Sequence, residues 1–400
     1  MGKYLNPGMS AFEEAVHSEI YIDKTEMIGY LNSLVKTNEK YVCVSRPRRF
    51  GKTMAANMIC AYYDREADSR TLFENRKLAG ASDWDKYLGK FDVIRLVMSR
   101  FFKSGVTVSD ALVKMQSLVI REMKKAYPDV DLFDDQDLMQ TMYDIYTTLD
   151  KQVVIVIDEW DVVFRECPKD QEGHREYLDF WRDLLKDNEC IALAYMTGIL
   201  PIKKNGTHSA LNMFTQYSMM APLELAPYTG FMEDEVKTLC RRYGRDFARV
   251  KEWYEGYTVR NTIPPDPDHE QLKATGRPKE ARRYTLYSPL SIVRSMKEGE
   301  IKNYWNRTET YEALAQYIQK DYDGLADAVA LLMDGGRRAI NTATFQNDMT
   351  TFTGRDDVLS LLVHMGYLGF DEERSEVFIP NREILDEFKN STKGKWPPFA

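Results

Sequence analysis

The chain has 400 residues, 44% hydrophobic and 29% charged, with a formal net charge of −8. That length and apolar share suit two or three domains with sizeable cores, and the acidic balance excludes a globally basic nucleic-acid footprint, leaving only local contact with such a partner. Five cysteines (Cys43, Cys60, Cys167, Cys190, Cys240) lie scattered without a C-x-x-C, five histidines show no ligand spacing, and no run reaches membrane-span length. Reduced thiols, no zinc site, no membrane partner and a cytoplasmic location are therefore expected.

In chain order, Met1–Ser10 is a Gly/Pro-bearing lead. Ile20-Tyr21-Ile22 reads as a short strand, and Asp23 or Thr25 as the cap of a helix running to about Val35. Tyr41–Ser45 reads as a buried strand. The basic loop Arg46-Pro47-Arg48-Arg49-Phe50 follows, then Gly51-Lys52-Thr53, then the helix-compatible run from Met54 to Ile59. Strand, loop, Gly-Lys-Thr and helix is the order of a phosphate-binding P-loop. Free backbone N–H groups and the positive helix end gather an anion there. Lys52 would meet the β- and γ-phosphates, Thr53 would offer a hydroxyl to Mg²⁺, and Gly51 would let the backbone approach. One position departs: Arg46 stands where G-x-x-x-x-G-K-[ST] opens with glycine, so Pro47 is left to set the turn. The competing reading is a surface loop that happens to contain Gly-Lys-Thr. The segment ahead of residue 41 either folds over a nucleotide base or pads the sheet edge.

Asp64–Lys90 is loop-rich, Phe91–Met98 a strand, and Asp110–Lys125 and Asp131–Leu149 are helices. Val153–Ile157 is five β-branched residues ending in Asp158-Glu159. That is a central parallel strand delivering carboxylates at its C-terminal end, where open α/β sheets bind ligands. Asp158 would hold Mg²⁺ and Glu159 would polarise the attacking water; a core strand ending in a solvated acidic turn is the plainer alternative. Tyr177–Lys186 is helical, Ile191–Gly198 a further strand, and Leu223–Tyr228 the last. Thr197 either senses the γ-phosphate or merely ends its strand. Alternating strands and helices give a parallel sheet with right-handed crossovers.

From Glu233 the pattern changes. Asp234–Tyr243 is a helix, and Trp253-Tyr254-Glu255-Gly256-Tyr257 supplies core anchors of a second domain, or less simply a base-stacking platform. Asn261–Arg283, polar and aperiodic with a basic end, reads as an exposed insertion. Helices follow at Ser291–Lys297, Tyr311–Tyr317, Leu325–Met333 and Asp356–His364, then a hairpin of Phe370 and Val377–Ile379 around an acidic turn. Helix then hairpin is a winged-helix order, but Asp356–His364 carries no Lys or Arg, which favours a protein contact over DNA. Asn390–Ala400 reads as a linker.

Taken together, these residues resemble the bacterial AAA-ATPase-like family. The resemblance is carried by Tyr21-Ile22-Asp23-Lys24-Thr25, Arg46–Thr53, Ile157-Asp158-Glu159-Trp160-Asp161, Thr197-Gly198-Ile199, Gly230-Phe231 with Glu235-Val236, Trp253–Tyr257, Tyr287–Ser291, Tyr304-Trp305, Gly366-Tyr367-Leu368 and Pro380-Asn381-Arg382-Glu383-Ile384. Trp160 replaces a usual tyrosine. The family often carries a restriction-endonuclease-like domain after the last of these segments; this sequence ends there, and no D-x(n)-E-x-K set assigns nuclease residues.

The chain is therefore read as an α/β P-loop ATPase domain over residues 1–230, a helical or winged-helix-like domain over 231–388 with its insertion at 261–283, and a linker over 389–400, and the resemblance implies the roles within the first. It implies Glu159, Lys52 and Thr197 as the catalytic set. Arg48, Arg49, Phe50, Gly51, Lys52, Thr53 and Met54 would bind nucleotide, and Thr53 and Asp158 the metal. Arg48 and Arg49 would neutralise transition-state charge, serve a neighbouring protomer's nucleotide, or pair with acids such as Asp161. The expected cofactors are ATP and Mg²⁺; the absence of Asn-Lys-x-Asp favours ATP over GTP. The expected activity is a switch or slow ATPase that controls an effector, by analogy a nuclease in defence, through self-association or a protein partner. A non-hydrolysing scaffold and a DNA-stimulated ATPase are the alternatives.

Overall fold

A computed structural model describes residues 2–392 apart from 104, 203–210, 262–281, 306–310, 319–321, 323, 344, 346–351 and 353. The chain divides into two compact units, residues 1–45 with 52–216, and residues 46–51 with 217–346 and 351–400.

The first unit is built on a sheet of β1 (Tyr41–Ser45), β2 (Asp92–Val97), β3 (Val153–Asp158), β4 (Ile191–Gly198) and β5 (Thr215–Tyr217), in the order β2-β3-β4-β1-β5. The pairs β2/β3, β3/β4 and β4/β1 are parallel. Every residue of β1, β3 and β4 is buried, as expected of strands covered on both faces by crossover helices. Those helices are α1 (Ser10–Val16), α2 (Glu26–Leu34), α3 (Lys52–Tyr63), α4 (Arg70–Phe73), α5 (Val108–Ala126), α6 (Leu138–Leu149), α7 (Val162–Glu166) and α8 (Gln171–Leu185). Side-chain caps set three of their starts: Thr107 accepts from the Asp110 N–H, Asp137 from Met139 and Gln140, and Asp170 from Gly173.

Three sequence expectations shift here. The helix expected from Asp131 starts at Leu138, because Asp137 caps it. Ile20–Ile22 forms no strand. Leu223–Tyr228 is a 3₁₀ helix with Pro227 inside it, a residue with no N–H to give a ladder, and the fifth strand is Thr215–Tyr217.

The second unit contains β6 (Phe231–Met232), α9 (Glu233–Tyr243), α10 (Phe247–Tyr254), β7 (Tyr257–Asn261), β8 (Arg282–Tyr287), α11 (Pro289–Glu298), α12 (Tyr311–Ile318), α13 (Leu325–Met333), β9 (Arg338–Ala339), α14 (Arg355–Met365), β10 (Gly369–Asp371), β11 (Glu376–Phe378) and α15 (Arg382–Thr392). Two three-stranded antiparallel sheets form, β6-β8-β7 and β10-β11-β9. The order α14, β10, β11 is the helix-then-hairpin order read from the sequence. Tyr254 and Tyr257 are core anchors, 1% and 2% exposed. Between them Gly256 holds φ +135°, and a Cβ there would lie 1.9 Å from the Pro380 carbonyl oxygen, so only glycine fits. Most of the expected insertion, 262–281, falls outside the described residues, as do 393–400 of the expected linker; Asn390–Thr392 is helical.

Candidate functional site

Parallel pairing brings the C-terminal ends of four strands into line. Asp158 at the end of β3 stands opposite Thr197 of β4 on one side and Val97 of β2 on the other. Across β4, Val44 stands opposite Thr197 and Ser45 opposite Gly198. β1 and β3 both border β4, so their ends flank one strand, and α3 begins at Lys52 directly after the loop that leaves β1.

Asp158 is 1% exposed. Burial pushes its carboxyl above the usual range; the guanidinium of Arg95 opposes this most, followed by a hydrogen bond from the Thr53 hydroxyl. Arg95 Nη2 lies 3.4 Å from Asp158 Oδ2. The other carboxylate oxygen, Oδ1, is buried without a hydrogen-bond partner, and so is the neighbouring Thr197 hydroxyl. Buried polar atoms are almost always paired, and these two orphans stand on adjacent strands, with the Trp160 indole N–H and Asp161 Oδ1 unpartnered in the segment that follows β3.

Lys52, at the first position of α3, is 9% exposed. Burial lowers its pKa to about 8, with Asp161 and then Asp158 pulling it back up. The ammonium therefore stands among the acids Asp161, Asp158 and Glu159. Thr53 and Met54 are exposed on the first turn of α3. Glu159 is held at φ +58°, in the left-handed region, which costs a non-glycine residue on the order of 1–3 kcal/mol. Such strain at a strand end is characteristic of side chains aimed for function.

Asp161 has a role the sequence alone did not assign. Its Oδ2 accepts from the backbone N–H groups of Ile199 and Leu200, each at 3.0 Å, and its cation is Arg165 at 3.6 Å. Asp161 thus pins the turn that leaves β4. The Trp160 backbone N–H donates to the Thr197 carbonyl at 3.1 Å, and the Tyr177 hydroxyl to the Trp160 carbonyl at 2.7 Å. A Cβ on Gly198 would come within 2.6 Å of the Trp160 ring, so glycine is required beside Thr197.

Residues 46–51 fold with the second unit. Arg46 is fully buried there; its Nε donates to Thr229 Oγ1 at 2.7 Å and its Nη1 to the Tyr217 carbonyl at 2.6 Å. Phe50 is buried too, its ring edge-on to Tyr257 at 5.3 Å and its carbonyl accepting from the Gly230 N–H at 3.1 Å. The left-handed positions of the loop are Arg49 (φ +67°) and Gly51 (φ +87°), not Arg46. Arg48 and Arg49 are exposed. Within the first unit, then, the structure gathers Lys52, Thr53, Asp158, Glu159 and Thr197; it commits the side chain of Phe50 to the second unit's core.

The donor set suits Mg²⁺. A buried carboxylate oxygen and an adjacent hydroxyl are hard ligands, and Mg²⁺ takes one or two such groups and fills the rest with water and phosphate oxygens. No group of three or more His, Cys, Asp or Glu side chains able to hold a metal occurs among the described residues. Arg95 and Asp161 were the residues sequence reasoning missed as site members. An arginine inside the otherwise apolar run Val93–Val97 was the available signal for the first.

A strand–loop–helix cradle at the C-terminal edge of a β2-β3-β4-β1-β5 sheet, with an Asp-Glu strand end beside it, defines a P-loop nucleotide-binding fold. The family model for predicted AAA-ATPases, AAA-ATPase-like, matches residues 7–208, and the chain belongs to that family. Two solved structures from Aeropyrum pernix are similar. The ORC2 protein in its ADPNP–ADP complexes shares 12% identity at TM-score 0.33, covering 95% of this chain and 98% of that one. The ORC1 protein in complex with DNA shares 12% at 0.32, covering 98% of each. No curated protein matches the chain. Among the described residues no helix is long and apolar enough to cross a membrane.

Proposed function

We propose that this chain binds ATP with Mg²⁺ at the C-terminal edge of its parallel sheet and hydrolyses it slowly, using the nucleotide state to control an effector. The observation that carries the reading is the pair of buried, unpartnered oxygens, Asp158 Oδ1 and Thr197 Oγ1, on adjacent strands beside Thr53 and Lys52.

In this reading Lys52 supplies a point charge to the β- and γ-phosphates, and α3 supplies N-terminal N–H donors. Thr53 and Asp158 hold Mg²⁺, which when bound neutralises phosphate charge. Glu159 accepts a proton from a water; that water's oxygen forms a bond to the γ-phosphorus as the bond to the β,γ-bridging oxygen breaks, and the electron pair leaves with ADP. Thr197 donates its hydroxyl toward the γ-phosphate oxygens. Arg48, Arg49, Gly51 and Met54 complete the nucleotide-binding set. The effector is a protein partner or a second copy of the chain. A nuclease as that effector rests on analogy with the family.

The test is Mg²⁺-dependent ATP binding and turnover by the full chain, Lys52→Ala and Glu159→Gln. We expect Lys52→Ala to lose binding, and Glu159→Gln to bind ATP while losing about a hundredfold or more in turnover. Equal turnover in the wild type and Glu159→Gln would leave a nucleotide-binding scaffold. Absence of nucleotide binding in the wild type would overturn the reading.

A further inference from the structure

The guanidinium of Arg95 reaches the carboxylate that the proposed metal site needs. Arg95 is on β2, paired in register with Val156 of β3. Val156 and Asp158 are two residues apart, so they share a sheet face, and Arg95 shares it with them. The same face is covered by α3: Arg95 Nη1 lies 3.8 Å from Cys60 Sγ on that helix, whose first turn carries Thr53. The Arg95 side chain is 11% exposed and the Asp158 side chain 1%. At 3.4 Å, Arg95 Nη2 touches Oδ2 and leaves Oδ1 open. A buried carboxylate here needs a cation whether or not nucleotide is present, and among the described residues Arg95 is the cation paired with it at 3.4 Å.

We infer that Arg95 is a placeholder cation, which neutralises Asp158 while no divalent ion is bound and must yield part of that carboxylate when one arrives. This rests on the Mg²⁺·ATP reading for its purpose, though not for its geometry. The consequence is competition. Arginine and metal draw on one carboxylate, so Arg95 raises the Mg²⁺ concentration at which the site fills and keeps the empty site from collapsing or trapping a stray cation. A lysine retains a point charge for the same task but not the planar fork.

The experiment compares the full-length wild type with Arg95→Met and Arg95→Lys in two arms. The first follows binding of a fluorescent ATP analogue as Mg²⁺ is titrated from excess EDTA. We expect the half-saturating Mg²⁺ to fall roughly tenfold in Arg95→Met, the low end for a close charge pair, and to stay within about threefold of the wild type in Arg95→Lys. The second arm uses metal alone. Without nucleotide, Arg95→Met is expected to melt below the wild type and to recover on adding millimolar Mg²⁺ or Mn²⁺, a recovery that Asp158→Asn placed on top of it abolishes. A half-saturating Mg²⁺ unchanged or raised in Arg95→Met, or no metal-specific recovery, would overturn the inference and leave Arg95 a structural counter-ion. Should Arg95→Met fail to fold, Arg95→Gln carries the same prediction, since it keeps a neutral donor toward Asp158. A wild type that binds no nucleotide would sink the Mg²⁺·ATP reading, while the metal-alone arm still decides the role of Arg95.

Discussion

Asp158 in the first unit and Glu383 in the second are both carboxylates about as buried as a side chain can be, each 1% exposed. Burial raises the pKa of both, that of Glu383 to about 7. Their surroundings differ. Glu383 Oε1 accepts from the backbone N–H groups of Tyr304 at 2.7 Å and Trp305 at 3.1 Å, and Oε2 from the Ser291 hydroxyl at 2.8 Å. Both its oxygens are used. Asp158 has one oxygen used and one orphaned. Burial and a perturbed pKa are thus common to both acids, and what separates these two is the satisfaction of their oxygens. Glu383 ties α15 to the start of α11 and to the 304–305 segment, whereas Asp158 keeps one oxygen unpartnered.

The largest effect belongs to the satisfied acid. Glu383→Ala orphans two buried N–H groups and a hydroxyl, and is expected to destabilise the chain by about 4 kcal/mol in urea unfolding; Glu383→Gln, which still accepts from both N–H groups, by about 1 kcal/mol. A loss below about 1 kcal/mol in the alanine variant would erase the contrast. Asp158→Asn should do the reverse. Its stability should stay within about 1 kcal/mol of the wild type, while Mg²⁺-dependent turnover falls roughly 10²- to 10³-fold, equivalent to about 3–4 kcal/mol in the barrier. Next comes Gly198→Ala. Its methyl would meet Trp160 at 2.6 Å and Asp161 Oδ1 at 2.8 Å. Overpacking of that kind costs about 2 kcal/mol, and it should also weaken ATP binding by displacing the turn that Asp161 pins. Retained stability and retained binding together would mean that Trp160 gives way freely.

How much of this was legible in the sequence follows the range of the interactions. β3 and the Lys52-Thr53 helix start were readable because their signals are local: a run of β-branched residues, and a Gly-Lys-Thr placed between strand and helix. The hairpin of β10 and β11 was readable for the same reason. The fifth strand was misplaced because Leu223–Tyr228 looks apolar enough for a sheet, yet Pro227 cannot donate to a ladder and the segment coils. Arg46 looked like a flaw in a phosphate loop; its partners Thr229 and Tyr217 lie 183 and 171 positions away, so nothing local could reveal a buried tether. Glu383 was visible only as part of a family motif, since Ser291 and Tyr304 lie 92 and 79 positions away. Arg95 was the near miss, a charge in an apolar strand whose neighbour on the sheet could not be known before the strand order.

The smallest expected effect is a cancellation, and it sharpens the case for Glu383 as a purely structural acid. In the same unit His364 is 3% exposed, its ring 5.3 Å from that of Phe345. Burial, then the charge of Arg46, lowers its pKa from 6.5 to about 3. The unfolded chain therefore binds a proton between pH 3 and 6.5 that the folded chain does not, and through this group stability rises with pH across that window. Glu383 behaves oppositely. Its pKa is raised from 4.5 to about 7 by burial, against the bonds from Tyr304, Ser291 and Trp305, so the folded chain keeps a proton that the unfolded chain has lost, and stability falls as pH rises from 4.5 to 7. Each slope is at most about 1.4 kcal/mol per pH unit. Where the windows overlap, between pH 4.5 and 6.5, the two offset each other, and the pair together contributes close to nothing. Removing either partner exposes the other. With Glu383→Gln the stability of α14 and α15, followed by amide hydrogen exchange, should climb with pH over the overlap relative to the wild type; with His364→Gln it should decline. If both variants track the wild-type profile in parallel, neither group titrates with folding, and Glu383 must hold its charge at neutral pH.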